Sequence, residues 1–377
     1  MVKKKPISVT QSMLSGIVKS MKAQILKPTS ENFKFCAKVL RDGETVYGLG
    51  ANALNQDAVC DIFKAKDRPF NGRNEQTCEQ LDPVIVHVLS SEEADKYVDI
   101  GEEERTVFHH LSKAFWPGPL TIVMKAKDIL PKELSAGTGK VGFRCPNQEL
   151  ARELLRVSGL PIAAPSANKF GHISPTRAEH VYSDLHDWPV QIIDGGESTV
   201  IGIDCENHKI ILFRRGGVTD HAILQCLQKE GIDMSVSEPV KHVAMKMEEA
   251  QVAPGQLITH YAPRCDAFLV QLHDDVPLPS ILREHIHHAA LLDFHGILEA
   301  YKPYCFQYMS ISETGNVAEA MRNIYSILRK AESIPEVQMI LLPDLSGVND
   351  ELAPSVMDRI VRSTSGRLLQ VPSHPVF

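Results

Sequence analysis

Two short polar turns, Pro165-Ser166-Ala167-Asn168 and Ser174-Pro175-Thr176, follow the apolar run Pro161-Ile162-Ala163-Ala164. The run suits a buried strand, and its abrupt end in proline, serine and asparagine reads as that strand spilling into a turn. Phosphate oxygens fit such a place. Small side chains let backbone N–H groups approach, and Ser166, Asn168, Ser174 and Thr176 add side-chain donors. A plain polar connection has the same composition, so the decision rests on what else the chain carries.

Cations and imidazoles occur at the ends of other elements. Residues 56–66 have a helical pattern with Val59, Ile62 and Phe63 on one side, and this helix carries Lys64, Lys66 and Arg68 to its C-terminal end. Lysines there also suit the helix dipole. Arg68 is more pointed, because Pro69 stops the helix and throws the guanidinium onto a turn. Pro83 to Val88 reads as a short buried strand with one histidine, His87, a pattern that more often means a core histidine than a ligand. Val141-Gly142-Phe143-Arg144 reads as a strand ending in a cation before Pro146. His260-Tyr261-Ala262-Pro263 gathers polar and aromatic groups inside a stretch otherwise lacking periodicity.

Around these residues the pattern gives helices at 102–115, 148–157, 178–186 and 219–231. Strands fall at 120–124 and 190–193, with a hairpin over 202–205 and 210–216. Helices mixed with tight turns between strands predict an α/β or α+β domain. Residues 232–264 read as a linker. Beyond them the order becomes strand, helix, strand, with strands near 267–271, 289–294, 305–310 and 337–342 and helices near 316–331 and 351–364. This predicts a small doubly wound, Rossmann-like domain without a G-x-G-x-x-G signature.

Composition narrows the classes. At 377 residues and 43% hydrophobic content the chain can bury two cores, and the formal charge of −7 argues against a general grip on nucleic acid. Eight cysteines are scattered without C-x-x-C pairs, and the histidine clusters lack metal-ligand spacing, so reduced thiols and no protein-held metal are expected. No apolar run approaches the roughly 20 residues of a bilayer span. The Lys-rich first thirty residues hold no acid, yet a cytoplasmic location is expected.

Taken in order, six segments resemble the YrdC/Sua family, in particular threonylcarbamoyl-AMP synthases. They are Glu44-Thr45-Val46-Tyr47-Gly48-Leu49-Gly50-Ala51, Lys66-Asp67-Arg68-Pro69, Pro83 to His87, Trp116-Pro117-Gly118-Pro119-Leu120-Thr121, Arg144-Cys145-Pro146, and Ala164 to Asn168 with Ser174-Pro175-Thr176. The resemblance divides the chain into an N-terminal extension (1–24), a YrdC-like catalytic domain (25–218) with a twisted mixed sheet and flanking helices, a linker or lid (219–264), and a C-terminal domain (265–377).

The resemblance implies a nucleotidyltransferase that joins L-threonine, bicarbonate and ATP, with Mg²⁺ carried on the ATP phosphates. A threonylcarbamoyl-transferase complex acting on tRNA would be the partner, with at most weak RNA contact and no membrane. Lys66 and Arg68 would be the catalytic cations at the triphosphate, with Asp82, Lys140, Ser166, Asn168, Ser174, Arg214, His260 and Tyr261 also at ATP. Thr45, His87, Arg144, Ala164 and Cys205 would contact threonine, Arg144 through its carboxylate.

Three departures accompany the likeness. The strand ending in Pro-Thr that the family places before Glu-Thr-Val-Tyr is missing, the loop after Pro69 is longer, and Asp204-Cys205-Glu206 stands where the family has Glu-Ser-Thr. They make a catalytically impaired nucleotide-binding homologue, or an RNA-binding regulator, the alternative. A carbamoyl-adenylate former of the hydrogenase-maturation type is disfavoured because its zinc-binding cysteine pairs are absent.

Overall fold

The computed structural model describes residues 24–25, 49–66, 82–187, 191–192, 198–237, 253 and 261–376. Thr45, Arg68 and His260 lie outside these residues. So do residues 32–41, whose Phe33, Ala37 and Leu40 at helical spacing read as a helix, and the site of the missing strand.

In the first domain the described strands are β1 (Gln24–Ile25), β2 (Ala51–Asn52), β3 (Val86–His87), β4 (Leu120–Lys125), β5 (Lys140–Arg144), β6 (Ile162–Ala163), β7 (Gln191–Ile192), β8 (Thr199–Asp204), β9 (Lys209–Arg214) and β10 (Ser235–Val236). An eight-stranded mixed sheet runs β10-β9-β8-β4-β5-β3-β6-β2, while β1 and β7 pair separately in parallel. The helices are α1 (Gln56–Ala65), α2 (Ser91–Ala94), α3 (Glu102–Phe115), α4 (Glu149–Ser158), α5 (Ala178–Leu185) and α6 (Asp220–Lys229).

Alternation decides which face of this sheet is covered. Val86 and Val88, Leu120, Ile122 and Met124, Val141 and Phe143, and Ile210 and Leu212 all join one core with Phe63 of α1, Phe108 and Leu111 of α3, and Ile223 and Leu227 of α6. Successive side chains point to opposite faces of a strand. His87, Thr121, Gly142 and Arg144 therefore face the other way. Gly142 is needed on that face, because a Cβ there would come within 3.0 Å of the Thr121 Cγ2.

The stretch expected as a linker from 219 begins with structure that belongs to this first domain. Ile223, Leu227 and Met234 sit in its core, and Ser235 and Val236 pair in parallel with Lys209 and Ile210. A two-residue strand in a polar stretch carries too little periodicity to be read from sequence.

The second domain is the expected doubly wound unit. Its strands β11 (Asp266–Leu272), β12 (Ala289–Phe294), β13 (Gln307–Ser312), β14 (Met339–Pro343) and β15 (Leu368–Val371) are all parallel, in the order β13-β12-β14-β11-β15. Helices α8 (Val317–Glu332) and α9 (Ala353–Ser363) cover one face, with Leu292, Ile311, Ile324, Leu328, Ile340 and Ile360 between them. Helix α7 (Ser280–His285) covers the other, over Leu282, Leu291 and Leu341. No described helix is long and apolar enough to cross a membrane.

Candidate active site

Lys66 follows directly on α1. Asn55 starts that helix by accepting the Ala58 N–H on its side chain, and the Lys66 N–H closes it on the Ile62 carbonyl. The lysine is 2% exposed. Its ammonium is held by the carbonyl oxygens of Ser166 and Asn168, the latter at 2.6 Å. The Phe170 N–H returns to the Lys66 carbonyl at 2.9 Å. Asn168, 1% exposed, spends its amide on the His172 carbonyl at 2.6 Å. Lys66 thus ties the 166–170 turn to the end of α1, and Ser174 lies buried just beyond.

On the sheet face opposite the helices His87 and Arg144 are direct partners across β3 and β5. Arg144 donates from Nε to the Gly118 carbonyl at 3.1 Å. The His87 Nδ1 is buried and has no hydrogen-bond partner among the described residues. Burial, and after it the neighbouring Arg144 charge, lowers the imidazole to about 3. His87 is therefore neutral at physiological pH, too weak a base to deprotonate an amine but able to exchange hydrogen bonds. Beside it the Ala164 N–H bonds the Ile85 carbonyl at 2.9 Å, and Ile162 pairs with His87.

A third group joins these two. Thr121, one residue from the Ile122–Phe143 pair, shares a 2.7 Å hydroxyl contact with Ser198. The Ser198 carbonyl accepts from Arg214 Nε at 3.1 Å and Nη2 at 2.9 Å. Arg214 Nη1 donates to the Tyr261 hydroxyl at 3.1 Å. Tyr261 takes a positive φ of 66° and is 1% exposed, its ring 5.0 Å from that of Tyr325 in the second domain. The Ala262 N–H then bonds the Gly171 carbonyl at 2.9 Å, which returns the chain to the turn held by Lys66. Phosphate-binding, carboxylate-binding and lid candidates thus gather on the sheet face opposite the helices, where Val123, Val200, Phe213 and Ala253 form a small buried cluster beside them.

Two family models match this chain. One, described as "Telomere recombination" (Sua5, YciO and YrdC), covers residues 39–216, and one described as "Threonylcarbamoyl-AMP synthase, C-terminal domain" covers 218–365. The threonylcarbamoyl-AMP synthase of Bacillus subtilis is 32% identical over 335 residues, 87% of this chain and 89% of that protein. That of Pyrococcus abyssi is 33% identical over 340 residues, 87% of this chain and 90% of that protein. The chain belongs to the threonylcarbamoyl-AMP synthase family. A solved structure of P. abyssi Sua5 complexed with L-threonine superposes with a TM-score of 0.72 at 27% identity, covering 93% of this chain and 99% of that one.

Not every residue expected from the family likeness reaches the site. Lys140 begins β5, on the same strand as Arg144 but at its exposed opposite end, about 13 Å away at roughly 3.3 Å per residue. Cys205 sits at the β8–β9 turn, far along the hairpin from Arg214, and packs against the helix-covered core. It lies past the end of β8, in the turn that leads to β9. Asp82 is buried upstream of β3. Neither Lys140 nor Cys205 is joined to the gathered candidates by a described hydrogen bond.

Thr121 and Ser198 were missed, although Thr121 closes the segment Trp116 to Thr121 that carried the resemblance. Ser198 did carry a signal: Glu197-Ser198-Thr199 is itself the Glu-Ser-Thr of the family likeness, so that segment falls at 197–199 and Asp204-Cys205-Glu206 is not its replacement. Among the described residues no group of three or more His, Cys, Asp or Glu could hold a metal ion. A cleft of about 170 Å³ at the seam between domains is lined by Arg215, Thr219, Asp220, His221, Glu351 and Ser355. Its charges are already matched, Arg215 with Asp220 at 2.9 Å and His221 with Glu351 at 3.3 Å.

Proposed function

We propose that the chain forms L-threonylcarbamoyladenylate and pyrophosphate from L-threonine, bicarbonate and ATP. The observation that carries the reading is the pairing of Arg144 with a neutral, half-satisfied His87 on the sheet face opposite the helices. A guanidinium beside an uncharged hydrogen-bonding ring suits an amino acid with a carboxylate and a hydroxyl. The names of the relatives and the threonine complex of P. abyssi Sua5 support the same substrate.

Arg144 would hold the threonine carboxylate and His87 the hydroxyl, leaving the amine toward the nucleotide. The amine nitrogen bonds to the carbon of carbon dioxide drawn from bicarbonate, water leaves, and the N-carboxylate so formed attacks the α-phosphorus. The bond to the bridging oxygen breaks and its electron pair departs with pyrophosphate. Such a step relies on positioning and charge neutralisation. Lys66, Arg68, Ser166, Asn168, Ser174 and Arg214 would supply these at the triphosphate, and Mg²⁺ would enter as part of the ATP substrate. Tyr261 would shield a hydrolysable adenylate from water.

In this reading the protein is a nucleotidyltransferase of the cytoplasm, and a separate complex carries the threonylcarbamoyl group to tRNA. The test is pyrophosphate release by the purified chain with ATP and bicarbonate, comparing L-threonine with serine and with no amino acid. Threonine-dependent release is the expected result. ATP binding without release would show instead a nucleotide-binding homologue that has lost the chemistry.

A further inference from the structure

The turn that carries Asn168 and Ser174 is completed by the other domain. Residues 171–175 are neither helix nor strand, so their backbone carbonyls need donors from elsewhere. Arg329, on α8 of the second domain and 8% exposed, supplies them: Nη2 donates to the Ile173 carbonyl and Nε to the Ser174 carbonyl at 3.4 Å. The same Nη2 is 2.8 Å from Asp184 Oδ2 on α5. His172 is gripped from both sides, Nδ1 by Asp184 Oδ2 at 3.0 Å and Nε2 by Glu332 Oε2 of α8 at 2.9 Å. The His172 carbonyl is the acceptor of the Asn168 amide, and Asn168 in turn holds Lys66.

We propose that Arg329 is a positioning residue for the nucleotide site: by fixing the Ile173 and Ser174 carbonyls it sets the turn that presents Asn168 and Ser174 to ATP. This rests on the synthase reading above. The second domain then does more than cover the site, because the ATP-binding turn lacks its shape without it. A domain joined only for stability needs no donor threaded into the carbonyls of this turn. Surface ion pairs and apolar contact would serve, and Tyr261 with Tyr325 already provides the latter. Arg329 makes no described contact with Arg144 or His87, so its effect falls on ATP and spares threonine.

The test uses the full chain with two variants. Arg329→Lys keeps a cation opposite Asp184 but lacks the planar fork that reaches two carbonyls and a carboxylate together. Arg329→Met combined with Asp184→Asn removes both charges at once, which avoids stranding a buried carboxylate. Calorimetry measures the affinity of each for the unreactive analogue α,β-methylene-ATP and, separately, for L-threonine; thermal melts confirm the fold. The expected result is analogue affinity weakened about tenfold or more, with threonine affinity within about twofold of the unaltered chain.

Folded variants that bind the analogue as the unaltered chain does would overturn the proposal. So would an equal loss of both affinities, which marks the cluster as general cement. Because binding is read without turnover, the two readings separate. If the unaltered chain binds the analogue but releases no pyrophosphate, the synthase reading falls, while the affinity ratio still decides the role of Arg329.

Discussion

The two large sheets of this protein use their faces differently. In the second domain both faces are buried, and β12 and β14 are apolar at nearly every position, Leu291 and Leu292 pointing into different cores. Such strands have no place for a ligand. In the first domain one face packs on helices and the other carries His87, Thr121, Gly142 and Arg144 between the apolar residues. Parallel sheets covered on both sides read as continuous apolar runs, whereas sheets open on one side alternate. Chemistry thus sits where the alternation places polar groups on the face away from the helices, although Val123, Val200 and Phe213 are buried on that face too, and the second domain acts through its helix α8.

The sharpest test of this contrast compares one residue from each sheet. Arg144→Ala should lower threonine-dependent kcat/KM by about 100-fold or more, because a charge-assisted bidentate contact is lost. Its melting temperature should stay near that of the unaltered chain. Leu292→Ala should do the reverse, destabilising the fold by about 2–5 kcal/mol while the remaining folded protein keeps its KM for threonine. Melts and steady-state kinetics on both variants check the pair. Loss of stability in the first, or a threonine defect in the second, would erase the distinction between the sheets.

What the sequence made legible follows the same division. Helices 102–115 and 316–331 were readable because their apolar periods are long, and the structure places them at Glu102–Phe115 and Val317–Glu332. Arg144 was readable because a strand that ends in a cation before proline stands out. Arg329 was not. With Glu332 three residues on, it looks like a solvated helix pair, and its partners Ile173, Ser174 and Asp184 are about 150 positions away in the chain. The β10 strand failed to show for want of length. Cys205 was assigned by a motif placed seven residues too late: the Glu-Ser-Thr stands at 197–199, and its Ser198 is the residue that meets Thr121 and Arg214.

A smaller effect should appear with pH at the seam between the domains. Burial opposes a charged His172, but the hydrogen bonds it donates to Asp184 and Glu332 outweigh it and raise its pKa above 6.5. Asp184, although buried, is lowered to about 2 by His172 and Arg329, and Glu332 is lowered by His172 and Arg264. The sign follows from linkage. The histidine contribution is complete below pH 6.5 and is lost as pH rises through its higher folded value. The carboxylate contributions are complete above about 4.5 and are lost as pH falls through their lowered values. Melting temperature should therefore decline as pH rises above 6.5, and His172→Gln should flatten that decline. An equal slope in both proteins would show that the imidazolium is not what joins the domains.

The smallest effect separates position in a motif from position in the fold. Lys140 and Cys205 occupy the end of the first sheet remote from Arg144 and Arg214, one exposed at the start of β5 and the other packed toward the helices. Lys140→Ala should leave both KM values within about twofold, as expected for a surface substitution away from the site. Cys205→Ser keeps a small side chain and should likewise leave threonine binding unchanged. A tenfold rise in the KM for ATP with Lys140→Ala would mean that the triphosphate extends along the whole sheet face to the far end of β5. The site would then be the full length of the sheet, rather than the residues gathered around Arg144, Arg214 and the Lys66 turn.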